Sequence, residues 1–193
     1  SRATRAALVI SEVSLAIVLL VGSGLLLRST ARVLAVNPGF DPQHLLTMQV
    51  QAGGRSLSND TAVRAFYERA LETVRHEPGV EAAAFTLQLP MSGDFDGQSV
   101  LIKAHPRANP ADNPSPFRYG VSDGYFEAMR IPLRRGRTFT PKDLAAAPHV
   151  AIVNEAFARK YWPGEDPIGQ LVTMGDPAKP DWAEIVGVVG DLK

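Results

Sequence analysis

Four histidines, one acidic tetrapeptide, one glycine-flanked pair of valines and one arginine cluster are the residues of this chain that could do chemistry. His44, His76, His105 and His149 are scattered, with neither the i, i+4 pairing nor the HExxH arrangement that would place two imidazoles on one helix face for zinc. Solvated or capping histidine is the expectation for each. Asp94-Phe95-Asp96-Gly97 opens like a calcium loop. The following positions bring Ser99, Val100 and Leu101, and no acidic residue closes it, so it is expected to be a tight turn. Gly187 to Gly190, GVVG, lacks the lysine of a phosphate-binding GxxxxGK loop and reads as a buried strand ending in a turn. Arg134, Arg135 and Arg137 suit a solvated strand edge, with an acidic partner or lipid headgroups as the functional alternative. Asn59-Asp60-Thr61 has the pattern of a glycosylation sequon, and in a bacterial chain it is a helix cap. Phe157, Tyr161 and Trp162 are the best candidates for an aromatic contact surface, against core packing as the plainer use. These residues give no catalytic residue, no cofactor-binding residue and no metal ligand, so a non-enzymatic chain is expected.

The elements that would position them fall into two parts. Ala6 to Leu27 is an apolar run interrupted by one charge, Glu12, and is long enough to cross a hydrocarbon core of about 30 Å as a helix. Arg2 and Arg5 precede it, and Arg28 and Arg32 follow it, within reach of lipid headgroups at either end. A cleaved signal peptide, with Val33 and Ala35 near the cleavage point, is the competing reading. It is disfavoured by the length of the run and its basic downstream flank. Residues 1–5 are then a cytoplasmic flank, 6–27 a transmembrane helix, 28–43 a stalk and linker ended by Asn37, Pro38 and Gly39, and 44–193 an extracytoplasmic domain. Ala7, Ser11 and Ser14 form a small-residue stripe beside Glu12, a face suited to other membrane helices.

The formal charge of zero hides an asymmetry. Residues 1 to 37 carry four arginines against one glutamate, +4 − 1 = +3, and the remainder carries 20 − 4 = 16 basic against 20 − 1 = 19 acidic residues, −3. Such a domain has no nucleic-acid footprint. The absence of cysteine excludes a disulfide framework and a thiolate metal site.

Within the domain, His44 to Ala52 alternates at period two, with Leu46, Met48 and Val50 expected on the buried face. Gly53 to Ser58 is a turn-rich loop. Thr61 to His76 is an amphipathic helix capped by Asn59 or Asp60, burying Val63, Phe66, Tyr67, Ala70, Leu71 and Val74, and Pro78 and Gly79 stop it. Val80 to Leu89 is expected as a second strand, completing a β-α-β unit. Val100, Ile102 and Ala104 mark a third strand, residues 105–116 an exposed Pro-rich connection, and Phe117 to Ser122 another strand. Ser122 or Asp123 is the expected cap of a short helix through Met129. His149 to Val153, a helix opened by Asn154 or Glu155 and running to Tyr161, Leu171 to Met174 and Trp182 to Val189 give a second β-α-β unit. The class is α+β with mixed sheets: porter-like β-α-β units and a strand-rich subdomain behind one N-terminal transmembrane helix.

Several stretches then stand in a telling order: RAALVISEVSLAIVLLVGSGLLLRS, NPGFDPQHLLTMQV, PGVEAAAFTLQLPMSG, SDGYFEAMRIPLRRGRTFTPKD, VAIVNEAFARKYWPGEDPIGQ and EIVGVVGD. Together they cover nearly the whole chain, and the chain resembles the MacB-like and FtsX-like permeases of ABC transporters, most closely the acidobacterial type with a duplicated permease unit. The resemblance implies an inner-membrane protein whose span opens a permease repeat and whose following domain is the periplasmic core domain. It implies an ABC ATPase subunit or domain, further permease helices or a second permease copy, and membrane lipid as partners, with a periplasmic partner protein in the FtsX-like alternative. Motion would pass through stalk helices, without an alternating-access channel.

Overall fold

The structure, a computed structural model of the chain, describes residues 2–50, 59–93, 96–107, 109, 112–143, 148–174 and 179–192, Asp60 by its backbone only. Two compact units divide at Pro38/Gly39.

The first unit is a single helix, α1 (Arg2–Leu34), with no buried residue. Its apolar side chains are spread around the whole circumference, so Leu20, Val21, Leu26 and Leu27 all stand exposed. A helix apolar on every side suits lipid or other helices and not a soluble surface. Among the described residues it is the one helix long and apolar enough to cross a membrane. At about 1.5 Å per residue its 33 residues extend about 50 Å, more than one hydrocarbon thickness. The Ser11 hydroxyl donates to the Leu8 carbonyl at 2.8 Å, so its one donor is used within the helix.

The second unit is built around one sheet. Its strands are β1 (Val100–Ile102), β2 (Leu133–Gly136), β3 (Val150–Asn154), β4 (Leu171–Met174) and β5 (Ala183–Val189). Strand β5 is central: β3 runs parallel along one edge, while β4 and β2 pair antiparallel with its first and last residues, and β1 extends the sheet beyond β4. Its last five residues are buried, as a run of Ile, Val and Gly bounded by polar residues should be when both faces are covered. Two bulges adjust the pairing: Val186 is the extra residue opposite the Ala151/Ile152 step of β3, and Arg134 the extra one opposite β5.

The helices are α2 (Asp60–Arg75), α3 (Tyr125–Ala128) and α4 (Glu155–Tyr161). Helix α2 begins as its sequence dictates, with Asn59 Oδ1 accepting from the Ala62 N–H at 2.8 Å. Leu71 is buried, and Tyr67 meets Phe85 edge to face at 5.0 Å, whereas Val74 at the far end stays exposed. Arg75 holds the helix's end: its guanidinium donates to the Ala83 and Asp123 carbonyls and pairs with the Asp123 carboxylate at 3.1 Å. Helix α4 follows β3 directly, with Asn154 Oδ1 accepting from the Phe157 N–H at 3.0 Å. The β3-α4-β4-β5 succession is the β-α-β unit expected from His149 onward, with β4 inserted before the parallel return.

Two apolar clusters stabilise the unit. Val100, Ile102, Trp162, Val172 and Ile185 form one, with Phe157, Tyr161 and Ile168 against it. Tyr125, Met129, Ile131 and Val189 form the other, with Phe40, Leu45, Val121 and Leu192 against it.

Several expectations are corrected. Residues 44–50 form no ladder, and Leu46 and Met48, expected inside, are 85% and 71% exposed, while Leu45 points to the second cluster. A period-two pattern orients a strand only when a neighbour selects the face, and here the Met129 cluster takes Leu45 alone while Thr47 and Gln49 stay exposed and Val50 is half-buried. Gln51, Ala52 and the loop Gly53 to Ser58 lie outside the described residues. Val80 to Leu89 and Phe117 to Ser122 meet at one isolated bridge, Thr86 with Val121, and Phe117 bridges Gly97 instead, so the first β-α-β unit has its helix without ladder strands beside it. The third strand stops at Ile102, leaving Ala104 in a turn. The Pro-rich connection is not wholly exposed: Pro114 is buried, its carbonyl accepting from the Val100 N–H at 2.8 Å. Neither Ser122 nor Asp123 caps α3. Gly124 does so in a left-handed conformation (φ 79°), because Ser122 is bonded to Phe85 and Asp123 to Arg75.

Candidate functional site

The segment that leads from α1 into the sheet domain is anchored at several points. Gly39 has φ 91° and lies so close to the Asp191 carbonyl that no Cβ could be accommodated. Phe40 and Leu45 pack into the Met129 cluster, as does Leu192. Between them the Asp41 N–H donates to the Met129 carbonyl at 3.1 Å, and the Asp41 carboxylate accepts from the Gln43 N–H at 2.9 Å and from Arg130 Nη1 at 2.9 Å. The Gln43 N–H and the Arg130 guanidinium together hold the Asp41 carboxyl below its ordinary range. Arg130 itself has φ 52° and reaches Glu81 at 3.6 Å on its other side. One arginine thus ties the lead-in segment, the turn after α3 and the segment after α2.

Asp191 is the matching anchor past β5. Its carboxylate accepts from the Ala156 N–H at 2.7 Å and from Arg159 at 2.9 Å, fixing the end of the central strand to the start of α4. Chain leading in at Gly39 and chain leading on past Asp191 therefore lie side by side, both fastened to the central strand or the cluster beneath it.

The residues singled out for chemistry are mostly accounted for by structure. Arg134, Arg135 and Arg137 lie on or just beyond the exposed strand β2, and each finds a carboxylate within the domain: Glu155 at 3.2 Å, Asp166 at 3.5 Å and Asp143 at 2.6 Å. The Asp143 carboxyl is held far below the usual carboxylate range, first by Arg137 and then by its bonds to Thr140. Asp96 pairs with Arg118 at 2.6 Å, and Asp94 lies outside the described residues. His76 Nδ1 sits 2.6 Å from the Glu72 carbonyl at the end of α2, and His149 pairs with Asp181 at 2.7 Å. Trp162 is 2% exposed and belongs to the core, while Phe157 and Tyr161 pack half-buried against that cluster. Tyr125, buried in the second cluster, has its hydroxyl pushed up to about 12 by desolvation. Among the described residues no three His, Asp or Glu side chains gather as a metal site.

The Asp41 and Arg130 pairing was not foreseen, since 89 residues separate the two. Both sit inside stretches quoted for the family resemblance, NPGFDPQHLLTMQV and SDGYFEAMRIPLRRGRTFTPKD. Comparison with known proteins decides what those stretches mean: the sequence profile of the MacB-like periplasmic core domain matches residues 3–193. The chain belongs to this family. Over 71 residues it is 32% identical to the uncharacterized ABC transporter permease YknZ of Bacillus subtilis (strain 168), a match covering 36% of this chain and 17% of that relative. Among solved structures, the periplasmic region of MacB from Actinobacillus actinomycetemcomitans superposes with TM-score 0.46 and 18% identity, covering 64% of this chain and 50% of that one. The extracellular domain of the noncanonic ABC-type transporter YknZ from Gram-positive bacteria gives TM-score 0.44 and 18% identity over 64% and 57% of the two chains. The chain thus spans about half of the solved relatives it matches and a smaller share of the curated one. As a MacB-like periplasmic core domain behind an apolar helix, it is the extracytoplasmic portion of an ABC transporter permease-like protein of the inner membrane.

Proposed function

We propose that this MacB-like chain is a non-catalytic part of an ABC permease, and that its domain transmits motion driven by a cytoplasmic ATPase to work outside the membrane. In this reading Ala6 to Leu27 crosses the membrane, residues 28–43 are the stalk and linker, and 44–193 are the periplasmic core. The observation that supports it best is the fastening of the lead-in segment: Gly39, Phe40, Asp41 and Leu45 are bound to the Met129 cluster and to Arg130, so displacement at residue 39 moves the domain's core instead of being lost in a slack linker. A covalent link with few contacts would stretch before it pulled.

The test uses the assembled full-length transporter with one dye-labelled cysteine at exposed Glu165, the chain having no cysteine of its own. ATP is expected to change the dye signal in the parent, and Arg130→Gln to reduce that change at least threefold while ATP hydrolysis persists. An unchanged ATP-driven signal in the variant would remove the clamp from the account.

The membrane helix makes its own prediction. Because α1 buries no side chain, its partners are other permease helices, and the Ala7, Ser11 and Ser14 stripe beside Glu12 is the contact side. Ser11→Leu or Ser14→Leu should lower the recovery of assembled full-length permease on size exclusion in detergent, relative to Leu at Val13 or Val21. Equal recovery for both sets would sink that assignment.

A further inference from the structure

The turn after β1 and the C-terminal end of α4 enclose a groove of about 570 Å³ lined by Ala104, His105, Pro106, Arg107, Lys160, Tyr161 and Pro163. Among the described residues no acidic side chain lines it. Elsewhere in the domain Arg75, Arg118, Arg130, Arg134, Arg135, Arg137 and Arg159 sit in ion pairs, while Arg69 bonds a backbone carbonyl and Lys103 rests over the Trp182 ring. Among the described residues Arg107 and Lys160 form none, and Lys160 Nζ rests instead over the Tyr161 ring, 5.4 Å from its centroid. Beneath them the His105 ring meets Trp162 edge to face at 6.2 Å, and both His105 Nε2 and Trp162 Nε1 are buried without a hydrogen-bond partner among the described residues. His105 lines the groove and brings that unpartnered ring nitrogen to its wall, whereas the Trp162 indole lies behind it in the core cluster. The carbonyl end of α4 opposes negative charge only weakly, because the helix has seven residues and its partial dipole is set against two full cations.

We propose that this groove binds a phosphate ester carrying an apolar group, the phosphate held between Arg107 and Lys160 and the apolar portion lying on Tyr161, Pro106 and Pro163. A guanidinium fork and an ammonium suit phosphate oxygens, and the two prolines with the tyrosine ring supply an apolar flank that free phosphate does not need. The groove's size accommodates a headgroup and not a long chain, which would extend into solvent or an adjoining apolar phase.

The full chain in a neutral detergent tests this, with Trp182→Phe introduced so that Trp162 is the sole fluorophore of the two tryptophans. Inorganic phosphate and dihexanoyl phosphatidylglycerol are titrated separately against the Trp162 emission. A saturable change is expected with the lipid, weakened about tenfold by Lys160→Gln or Arg107→Gln and untouched by Lys142→Gln, the loss of a charge-assisted hydrogen bond being worth about that factor. Saturation by the lipid with a weaker response to phosphate supports an amphiphilic ester. Saturation by phosphate alone overturns the apolar subsite, and no saturable response, or an unaltered one in both Lys160→Gln and Arg107→Gln, overturns the site.

Discussion

Trp162→Ala is expected to destabilise the domain by about 3–5 kcal/mol, the usual cost of emptying a buried aromatic site. Trp162 is 2% exposed and packs with Val100, Ile102, Val172 and Ile185, so it joins α4 to three strands of the sheet. None of these neighbours belongs to a flexible end that could collapse into the void, since Ile185 is fully buried in the central strand and Val172 lies in a paired one. In a domain of this length a loss of that size lowers Tm by on the order of 10 °C. Melting of the full chain in detergent, followed by near-ultraviolet circular dichroism, reads the change, and a drop under 3 °C would contradict the core role of Trp162.

The second large effect comes from a residue with no side chain. A Cβ on Gly187 would run into the Arg137 carbonyl and stand 3.3 Å from Ile152 Cγ1, with backbone on one side and β3 on the other. Gly187→Val therefore has to part β2 from β5 or push β3 away, in the strand around which the sheet is built. Overpacking alone costs about 1–3 kcal/mol, and loss of the Arg137 N–H bond to the Val186 carbonyl adds to it. Gly97→Ala is the control: its Cβ would meet only Ser115 Oγ, at 3.7 Å, and should change stability by less than about 1 kcal/mol. Urea unfolding of the two variants under the same conditions separates them, and equal midpoints would contradict the assigned pairing of β2 with β5.

Local signals proved readable wherever the controlling neighbour was close in sequence. Asn59 and Asn154 cap the helices they precede, because a cap needs only the first turn that follows. Val100, Ile102 and the run from Ile185 to Val189 are buried as their apolar character demands. The apolar length of α1 was equally plain. What stayed hidden was set by distant partners. The inward placement of Leu45 depends on the Met129 cluster, and the cap of α3 on Arg75 and Phe85 having taken Asp123 and Ser122. The three arginines around β2 read as an open basic edge because Glu155, Asp166 and Asp143, which neutralise them, lie 21, 31 and 6 residues away. The clamp of Asp41 on Arg130 is the furthest case. Its one trace in the sequence is that both residues fall within stretches shared with MacB-like permeases.

Transmission of motion by this domain requires that it work within an ABC permease. The full-length gene product should therefore be extracted from its native membrane in mild detergent, captured by a tag, and its stoichiometric companions identified by mass spectrometry. An ABC ATPase, as a subunit or as a domain of the same polypeptide, is the predicted companion. Its consistent absence, with a periplasmic cell-wall hydrolase in its place, would contradict the transmission of ATP-driven motion and leave an anchored interaction module.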